Sequence, residues 1–199
     1  MEEKIIKLKR FNIIMGVLHL LQGSSLFWLG TIVNTGFVVP ITLTQLVGVG
    51  NPGDPTSFKL IPELQIWKEI TNFGPAVASF LLASALAHFL VAGPMYGKYK
   101  SDLKKGINKI RWIEYSISAS VMIVLIALLV GIYDLWALLG IFFMNAAMCF
   151  FGWMMEVHNE HTKKTDWTSY IMGCIVGIIP WIFIFVNVIG DGVMTEANP

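Results

Sequence analysis

The sequence predicts an all-α, multi-pass membrane protein that forms a single membrane domain over residues 1–199. Two observations on composition predict this fold class, since 55% of the residues are hydrophobic and only 14% are charged. A soluble domain carries about 25% charged residues because its surface faces water. The third observation is a set of five apolar stretches, each long enough to cross a bilayer. The net charge of +1 gives no indication of a nucleic-acid partner.

The five predicted spans follow from the thickness of the membrane. A hydrocarbon core of about 30 Å requires roughly 20 consecutive apolar residues in a helix. The stretches that meet this length are residues 11–33, 73–95, 111–132, 135–157 and 167–190. The first is interpreted as a retained anchor and not as a signal peptide, because its apolar region is too long and no small-residue cleavage pattern follows it.

The long segment at 34–72 separates the first two spans and differs from them in composition. It is rich in glycine and proline, and β-branched residues recur between Val38 and Thr44. This combination predicts an ordered loop outside the membrane that contains a short β-hairpin.

The distribution of basic residues predicts the orientation of the chain. Twelve of the fourteen lie before the first span or in the two loops on the same side of the membrane: Lys4, Lys7, Lys9, Arg10, Lys98, Lys100, Lys104, Lys105, Lys109, Arg111, Lys163 and Lys164. Only Lys59 and Lys68 lie on the other side. The positive-inside rule therefore predicts a cytoplasmic N-terminus in the cell membrane, an external 34–72 loop and an external C-terminus. The same positions leave no lysine deep in any span.

Three ionisable residues lie at depth within the predicted spans: His19, His88 and Glu114. At 1.5 Å per residue all three fall in the cytoplasmic half of the bilayer, so they could share one proton or water site. The alternative is structural, with each histidine bonded to a neighbouring helix and Glu114 reaching the interface. The sequence predicts no metal site, because no local ligand spacing such as His-x-x-His is present.

Small and neutral polar residues in the spans indicate helix packing. Ser116 and Ser120 lie four residues apart, and Gly173 and Gly177 form a Gly-x-x-x-Gly pattern, which suits close helix contact. Asn145 lies near the middle of the fourth span, so its amide must face protein or a ligand.

The remaining sequence features exclude several classes of function. Phosphate-binding, nucleophile-elbow and zinc-protease motifs are absent, which indicates a protein that is not an enzyme. Cys149 and Cys174 lie in apolar runs. They are interpreted as small apolar residues, although a disulfide between them stays open.

Several blocks of the spans resemble the heliorhodopsin family. The most specific block is RWIEYSISASVMIVLI, which begins at Arg111. The others are FNIIMGVLHLLQ from Phe11, SALAHF from Ser84, NAAM from Asn145, FGW from Phe151 and GCIVGIIPWI from Gly173. The likeness covers nearly the whole chain and agrees with the predicted cytoplasmic N-terminus.

This resemblance implies a light-sensing retinal protein with a seven-helix rhodopsin-like bundle, usually a homodimer in the lipid bilayer, with short external strands after helix one. By position, Glu114 corresponds to the counterion of the protonated retinal Schiff base. His19 and His88 correspond to a polar cavity on the cytoplasmic side. Residues at or near the retinal pocket correspond to Met122, Asn145 and Trp181.

The chain departs from the family pattern at its end. The family attaches retinal to a lysine in helix seven, whereas this sequence ends at Pro199, after the fifth span. We therefore expect a fragment that contains five of the seven helices and cannot bind retinal covalently as written. Two other functions stay open: a retinal-free scaffold or dimerisation module that uses the Gly173 and Gly177 face, and a small proton or ion transporter that uses His19, His88 and Glu114.

Overall fold

The computed structural model describes residues 2–33, 37–50, 53 and 55–197. It is mostly helical, with a two-stranded antiparallel sheet, and it confirms the predicted fold class. The elements are α1 (Glu2–Ile32), β1 (Val39–Val49), β2 (Lys59–Ile70), α2 (Phe73–Ala92), α3 (Tyr96–Lys104), α4 (Lys109–Leu129), α5 (Leu135–His158) and α6 (Thr168–Ala197). Within the described residues, five helices are long and apolar enough to cross a membrane: α1, α2, α4, α5 and α6. Residues 34–36, where the predicted loop begins, lie outside the described residues.

Polar side chains mark the starts of three of the long helices. Asn72 accepts a hydrogen bond from the backbone of Gly74 at 3.3 Å, and Asn108 accepts one from Arg111 at 3.4 Å. Asp134 accepts from the backbone of Ala137 at 2.9 Å. Each bond satisfies a backbone N–H that has no partner inside its own helix. These caps fix where α2, α4 and α5 begin.

The helices pack in chain order, with α1 on α2, α2 on α4, α4 on α5 and α5 on α6. Gly30 of α1 and Gly74 of α2 permit the close approach of the first pair. A Cβ atom built on Gly30 would lie 2.7 Å from the Cα of Gly74, so neither position has room for a side chain. A buried cluster between α4 and α5, which includes Ile123, Leu128 and Ile141, forms the centre of the core.

The loop between α1 and α2 folds into a β-hairpin that is longer than predicted, with strands of 11 and 12 residues. The strand register shifts between Ile41, which lies opposite Lys68, and Thr42, which lies opposite Ile66. At this irregularity the N–H of Thr42 donates to the carbonyl oxygen of Tyr133 at 2.9 Å. Val39 is 1% exposed and belongs to the cluster between α4 and α5. The base of the hairpin is therefore attached to the α4–α5 turn, and we call this the hairpin end of the bundle.

The opposite end carries α3, a short helix that the sequence analysis did not predict. Its residue Tyr99 is buried, and Lys100 and Lys104 form ion pairs with Glu2 at the start of α1. Gly106, with a φ of 78°, makes the left-handed turn that leads from α3 into α4. We call the end that contains α3 and the start of α1 the basic end.

Candidate functional site

The two histidines of the predicted spans lie side by side. His19 of α1 and His88 of α2 stack with ring centroids 5.5 Å apart and an angle of 15° between the rings. Nδ1 of His19 is buried and has no hydrogen-bond partner among the described residues. The packing of α1 on α2 thus brings together two imidazoles from distant parts of the sequence.

Glu114 of α4, the third ionisable residue at depth in the predicted spans, accepts hydrogen bonds from two serine hydroxyls. Ser84 of α2 donates to Oε1 at 2.5 Å, and Ser118, one turn further along α4, donates to the same oxygen at 2.6 Å. Hydrogen bonds to a carboxylate are shorter and stronger than those between neutral groups. Glu114 is therefore tied to α2, the helix that carries His88.

Asn12 is a site residue that the sequence analysis did not identify. Its Oδ1 lies 2.8 Å from Nδ1 of His88, and its Nδ2 lies 3.5 Å from the hydroxyl of Tyr99. Asn12 is 7% exposed and Tyr99 is 5% exposed. One signal was present in the sequence, because Asn12 precedes His19 by two helical turns and therefore lies on the same face of α1.

A cavity of about 250 Å³ lies beside these groups. Its polar lining comes from α1, α2, α3 and α4 together with the residue that caps α4. The lining residues with polar side chains are Asn12, His88, Tyr99, Asn108, Arg111, Glu114 and Tyr115. A volume of this size with several polar partners can hold ordered water.

Arg111 lies one turn before Glu114 but pairs with a different carboxylate. Its Nη2 lies 2.9 Å from Oε1 of Glu156 on α5, and the other oxygen of Glu156 accepts from the backbone N–H of Asn108 at 2.6 Å. None of the ion pairs within the described ranges includes Glu114. Glu114 is thus a carboxylate inside a membrane-spanning helix whose hydrogen-bond donors are neutral.

The three residues that correspond to the retinal pocket differ in their surroundings. Asn145 is 5% exposed and donates from Nδ2 to the hydroxyl of Ser120 at 3.0 Å, between α5 and α4. Met122 is 37% exposed and Trp181 is 50% exposed. The expectation that the Asn145 amide faces protein or a ligand agrees with its bond to Ser120. Met122 and Trp181 instead present side-chain surface away from the packed core.

The Gly173 and Gly177 face of α6 packs against α5 of the same chain. A Cβ atom on Gly173 would lie 2.9 Å from the Cβ of Phe151, and one on Gly177 would overlap Met148. The prediction that these glycines serve close helix packing is confirmed. The hypothesis that they form a dimerisation face stays a hypothesis, and their contact with α5 of the same chain counts against it.

Neither a metal site nor a disulfide is formed by the described residues. No group of three or more histidine, cysteine, aspartate or glutamate residues among them is arranged to hold a metal ion. Cys149 is buried and Cys174 is exposed, and both are free thiols in this structure.

At the basic end, ionic contacts hold α3 against the start of α1. Oε2 of Glu2 lies 2.6 Å from Nζ of Lys100, and Oε1 lies 2.8 Å from Nζ of Lys104. The hydrogen bond to Glu2 raises the pKa of Lys100 above its ordinary value. Nζ of Lys9 also lies 4.4 Å from the ring centroid of Tyr96, which is within the range of a cation–π contact. These contacts position Tyr99 beside Asn12.

The fold and the site together define a multi-pass helical membrane protein with a carboxylate and two stacked histidines in its first three long helices. The family model for heliorhodopsins matches residues 8–199, and the chain belongs to the heliorhodopsin family. Membership confirms the resemblance found in the sequence, and it implies a rhodopsin-like, light-sensing membrane protein that uses retinal. No curated protein sequence matches the chain.

Proposed function

We propose that this chain contributes the counterion and the adjoining proton site of a heliorhodopsin light sensor, with Glu114 as the counterion. The observation that carries the proposal is the environment of Glu114. Its carboxylate lies within a membrane-spanning helix and accepts hydrogen bonds from Ser84 and Ser118. The nearest arginine along α4, Arg111, is paired with Glu156. A positive partner stabilises a carboxylate at this depth, and a cationic chromophore would supply one.

Retinal bound as a protonated imine of a lysine supplies visible absorption and a light-driven change of shape. The residues of this chain fit that group through the charge of Glu114 and through the accessible side chains of Met122 on α4 and Trp181 on α6. Asn145 lies between α5 and α4, where its amide donates a hydrogen bond to Ser120. The lysines of the sequence all lie at span ends or in loops. We therefore propose that these 199 residues alone do not attach retinal covalently.

Residues of this chain would bind or release a proton when the charge beside Glu114 changes. Loss of a neighbouring cation raises the proton affinity of a carboxylate, because the charged form loses its partner. The imidazoles of His19 and His88 lie in the same polar region and compete for that proton. In this proposal the photochemical signal is a redistribution of protons within the site, followed by a shift in the conformational equilibrium.

We further propose that the basic end faces the cytoplasm of a cell and that the functional unit is a homodimer. The basic residues at this end support the orientation. The hairpin supports the dimer, because its strand β2 is exposed along nearly its whole length and carries Leu64 and Trp67 at 66% and 57% exposure. A two-stranded hairpin is marginally stable alone, and a second copy would cover this apolar surface.

A complementation experiment tests the counterion role. The chain is co-expressed with a separate polypeptide that carries the sixth and seventh helices of a heliorhodopsin, and all-trans retinal is added. We expect a visible absorption band that is absent from the chain alone. Glu114→Gln should shift its maximum, whereas Glu63→Gln in the hairpin should leave it unchanged. A Glu114→Gln pigment with the spectrum of the unmodified pigment would remove the counterion role.

Labelling with a membrane-impermeant amine reagent tests the orientation. In intact cells we expect modification of Lys59 and Lys68 on the hairpin strand β2, while Lys163 and Lys164 react only after permeabilisation. The reverse pattern would contradict a cytoplasmic basic end.

Measurement of proton flux into vesicles tests the alternative function. A flux that depends on His88 and Glu114 would favour a small proton transporter over the light sensor.

A further inference from the structure

The contact between Asn12 and His88 determines which ring nitrogen of the histidine carries hydrogen. Oδ1 of Asn12 lies 2.8 Å from Nδ1 of His88, which is a normal hydrogen-bond distance. An amide oxygen can only accept, so Nδ1 must be the donor. The other nitrogen, Nε2, then keeps a free lone pair when the ring is neutral.

The surroundings of Asn12 hold its amide in place. Asn12 is 7% exposed, so water does not compete strongly for its polar atoms. Its Nδ2 faces the hydroxyl of Tyr99, which is itself 5% exposed and belongs to α3. The amide thus lies between two partners from different elements, one on the membrane-spanning helix α2 and one on the short helix at the basic end.

We propose that Asn12 is a positioning residue that holds neutral His88 in the Nδ1–H tautomer and leaves Nε2 as the only nitrogen that can take up a proton. This assignment extends the function proposed above and rests on it only for the consequence in the light reaction. A free imidazole in water favours the opposite tautomer, with hydrogen on Nε2. The bond to Asn12 therefore reverses the intrinsic preference of the ring.

This arrangement sets the direction in which a proton can travel. The groups around His88 are Asn12 and His19 on α1, Tyr99 on α3 and Glu114 on α4. A proton gained at Nε2 converts the ring to a cation, while Nδ1–H stays bonded to an amide oxygen that does not ionise. Asn12 therefore ends the proton path on the side of α3.

Nitrogen NMR of the retinal-free chain tests the proposal directly. The chain is labelled with ¹⁵N-histidine and placed in lipid vesicles at a pH of about 8, where an ordinary histidine is neutral. Signals that disappear in His88→Gln identify His88 among the four histidines. We expect a protonated Nδ1 and an unprotonated Nε2 in the unmodified chain. A protonated Nε2 in the unmodified chain would overturn the proposal without any variant.

Variants of Asn12 separate positioning from general disruption. Asn12→Leu should exchange the protonation states of the two ring nitrogens, whereas Asn12→Asp retains an acceptor and should keep Nδ1 protonated. Asn145→Leu, a matched change of a buried asparagine outside the histidine site, should leave the His88 signals unchanged. A His88 spectrum that Asn12→Leu does not alter would also overturn the proposal. The measurement needs neither retinal nor light, so its outcome is independent of the counterion experiment.

Discussion

Nη2 of Arg111 lies 2.9 Å from Oε1 of Glu156, so the guanidinium of α4 is paired with α5. The side chain of Glu156 is only 13% exposed, and its second oxygen accepts the backbone N–H of Asn108, the residue that caps α4. The carboxylate of Glu156 thus binds both the residue that caps α4 and the guanidinium of Arg111. This pairing leaves Glu114 without a cation from its own helix.

Glu156→Gln should destabilise the protein by about 1–3 kcal/mol, because a charged acceptor with two donors is replaced by a neutral one. Unfolding in mixed micelles with increasing denaturing detergent measures this change. Glu160→Gln is the matched control, since Glu160 contacts the half-exposed Lys105 at a longer distance of 3.5 Å. We expect a loss below about 1 kcal/mol for the control. Equal losses in the free energy of unfolding for the two variants would contradict the role assigned to Glu156.

The bond between Asn145 and Ser120 predicts a measurable coupling between α5 and α4. Asn145→Ala and Ser120→Ala should each destabilise the bundle, and the double variant should lose less than the sum of the two. Cycles of this type in membrane proteins give about 0.6 kcal/mol on average. We expect a coupling of this size or larger, because Ser120 is 0% exposed and Asn145 is 5% exposed.

A control for this cycle is Asn187→Ala, since Asn187 bonds the carbonyl oxygen of Phe183 on its own helix. When Asn187→Ala is combined with Ser120→Ala, the losses in the free energy of unfolding should add. Additive losses in the Asn145 and Ser120 cycle would show instead that the bond contributes nothing beyond packing.

The sequence predicted the five long helices because each depends on a local property, a run of apolar residues of bilayer length. It also predicted that the amide of Asn145 would find a partner in the protein or in a ligand, since an unsatisfied amide in lipid is costly. The hairpin followed from the glycine, proline and β-branched residues of the loop. In all three cases the physical constraint acts within one short segment.

The features that the sequence did not reveal depend on contacts between distant segments. Helix α3 has nine residues and no long apolar run, and it is held by Glu2 and by the burial of Tyr99. Asn12 gains its role only because α1 and α2 bring it beside His88. The glycines of α6 were correctly assigned to packing, but the identity of the packed partner, α5, required the structure.

The packing of α6 on α5 predicts a large effect of Gly177→Leu on folding. The side chain would overlap Met148, so α6 must move away from α5 or distort. Overpacking of this kind costs about 1–3 kcal/mol, and more where the backbone cannot shift. The melting temperature in detergent should fall, while the oligomeric size below the transition should stay unchanged.

Gly190→Leu provides the matched control on the same helix, because a Cβ atom at Gly190 meets none of the described atoms within 4 Å. Its melting temperature should lie close to that of the unmodified chain. If Gly177→Leu weakened self-association without lowering the melting temperature, the glycine would belong to an interface between copies and the intramolecular packing would be the wrong explanation.

The ion pairs of Glu2 predict a pH-dependent attachment of α3 to α1. The hydrogen bond to Glu2 raises the pKa of Lys100 above the ordinary lysine value of 10.5. A group with a raised pKa contributes stability that is fully present below the ordinary value and is lost as the pH rises through the raised one. The contact should therefore be intact at neutral pH and should open as the pH rises above 10.5. Spin labels at the exposed positions Lys4 and Lys98 report the distance between the two helices.

Glu2→Gln should broaden this distance distribution already at neutral pH, because both lysines of α3 lose their acceptor. Glu3→Gln is the matched control, since the ion pair of Glu3 is formed with Lys7 within α1. A surface ion pair contributes little alone, but here one carboxylate holds two lysines of a nine-residue helix. If Glu2→Gln and Glu3→Gln gave the same narrow distribution, burial of Tyr99 would be sufficient to hold α3. The position of Tyr99 beside Asn12 would then not depend on charge.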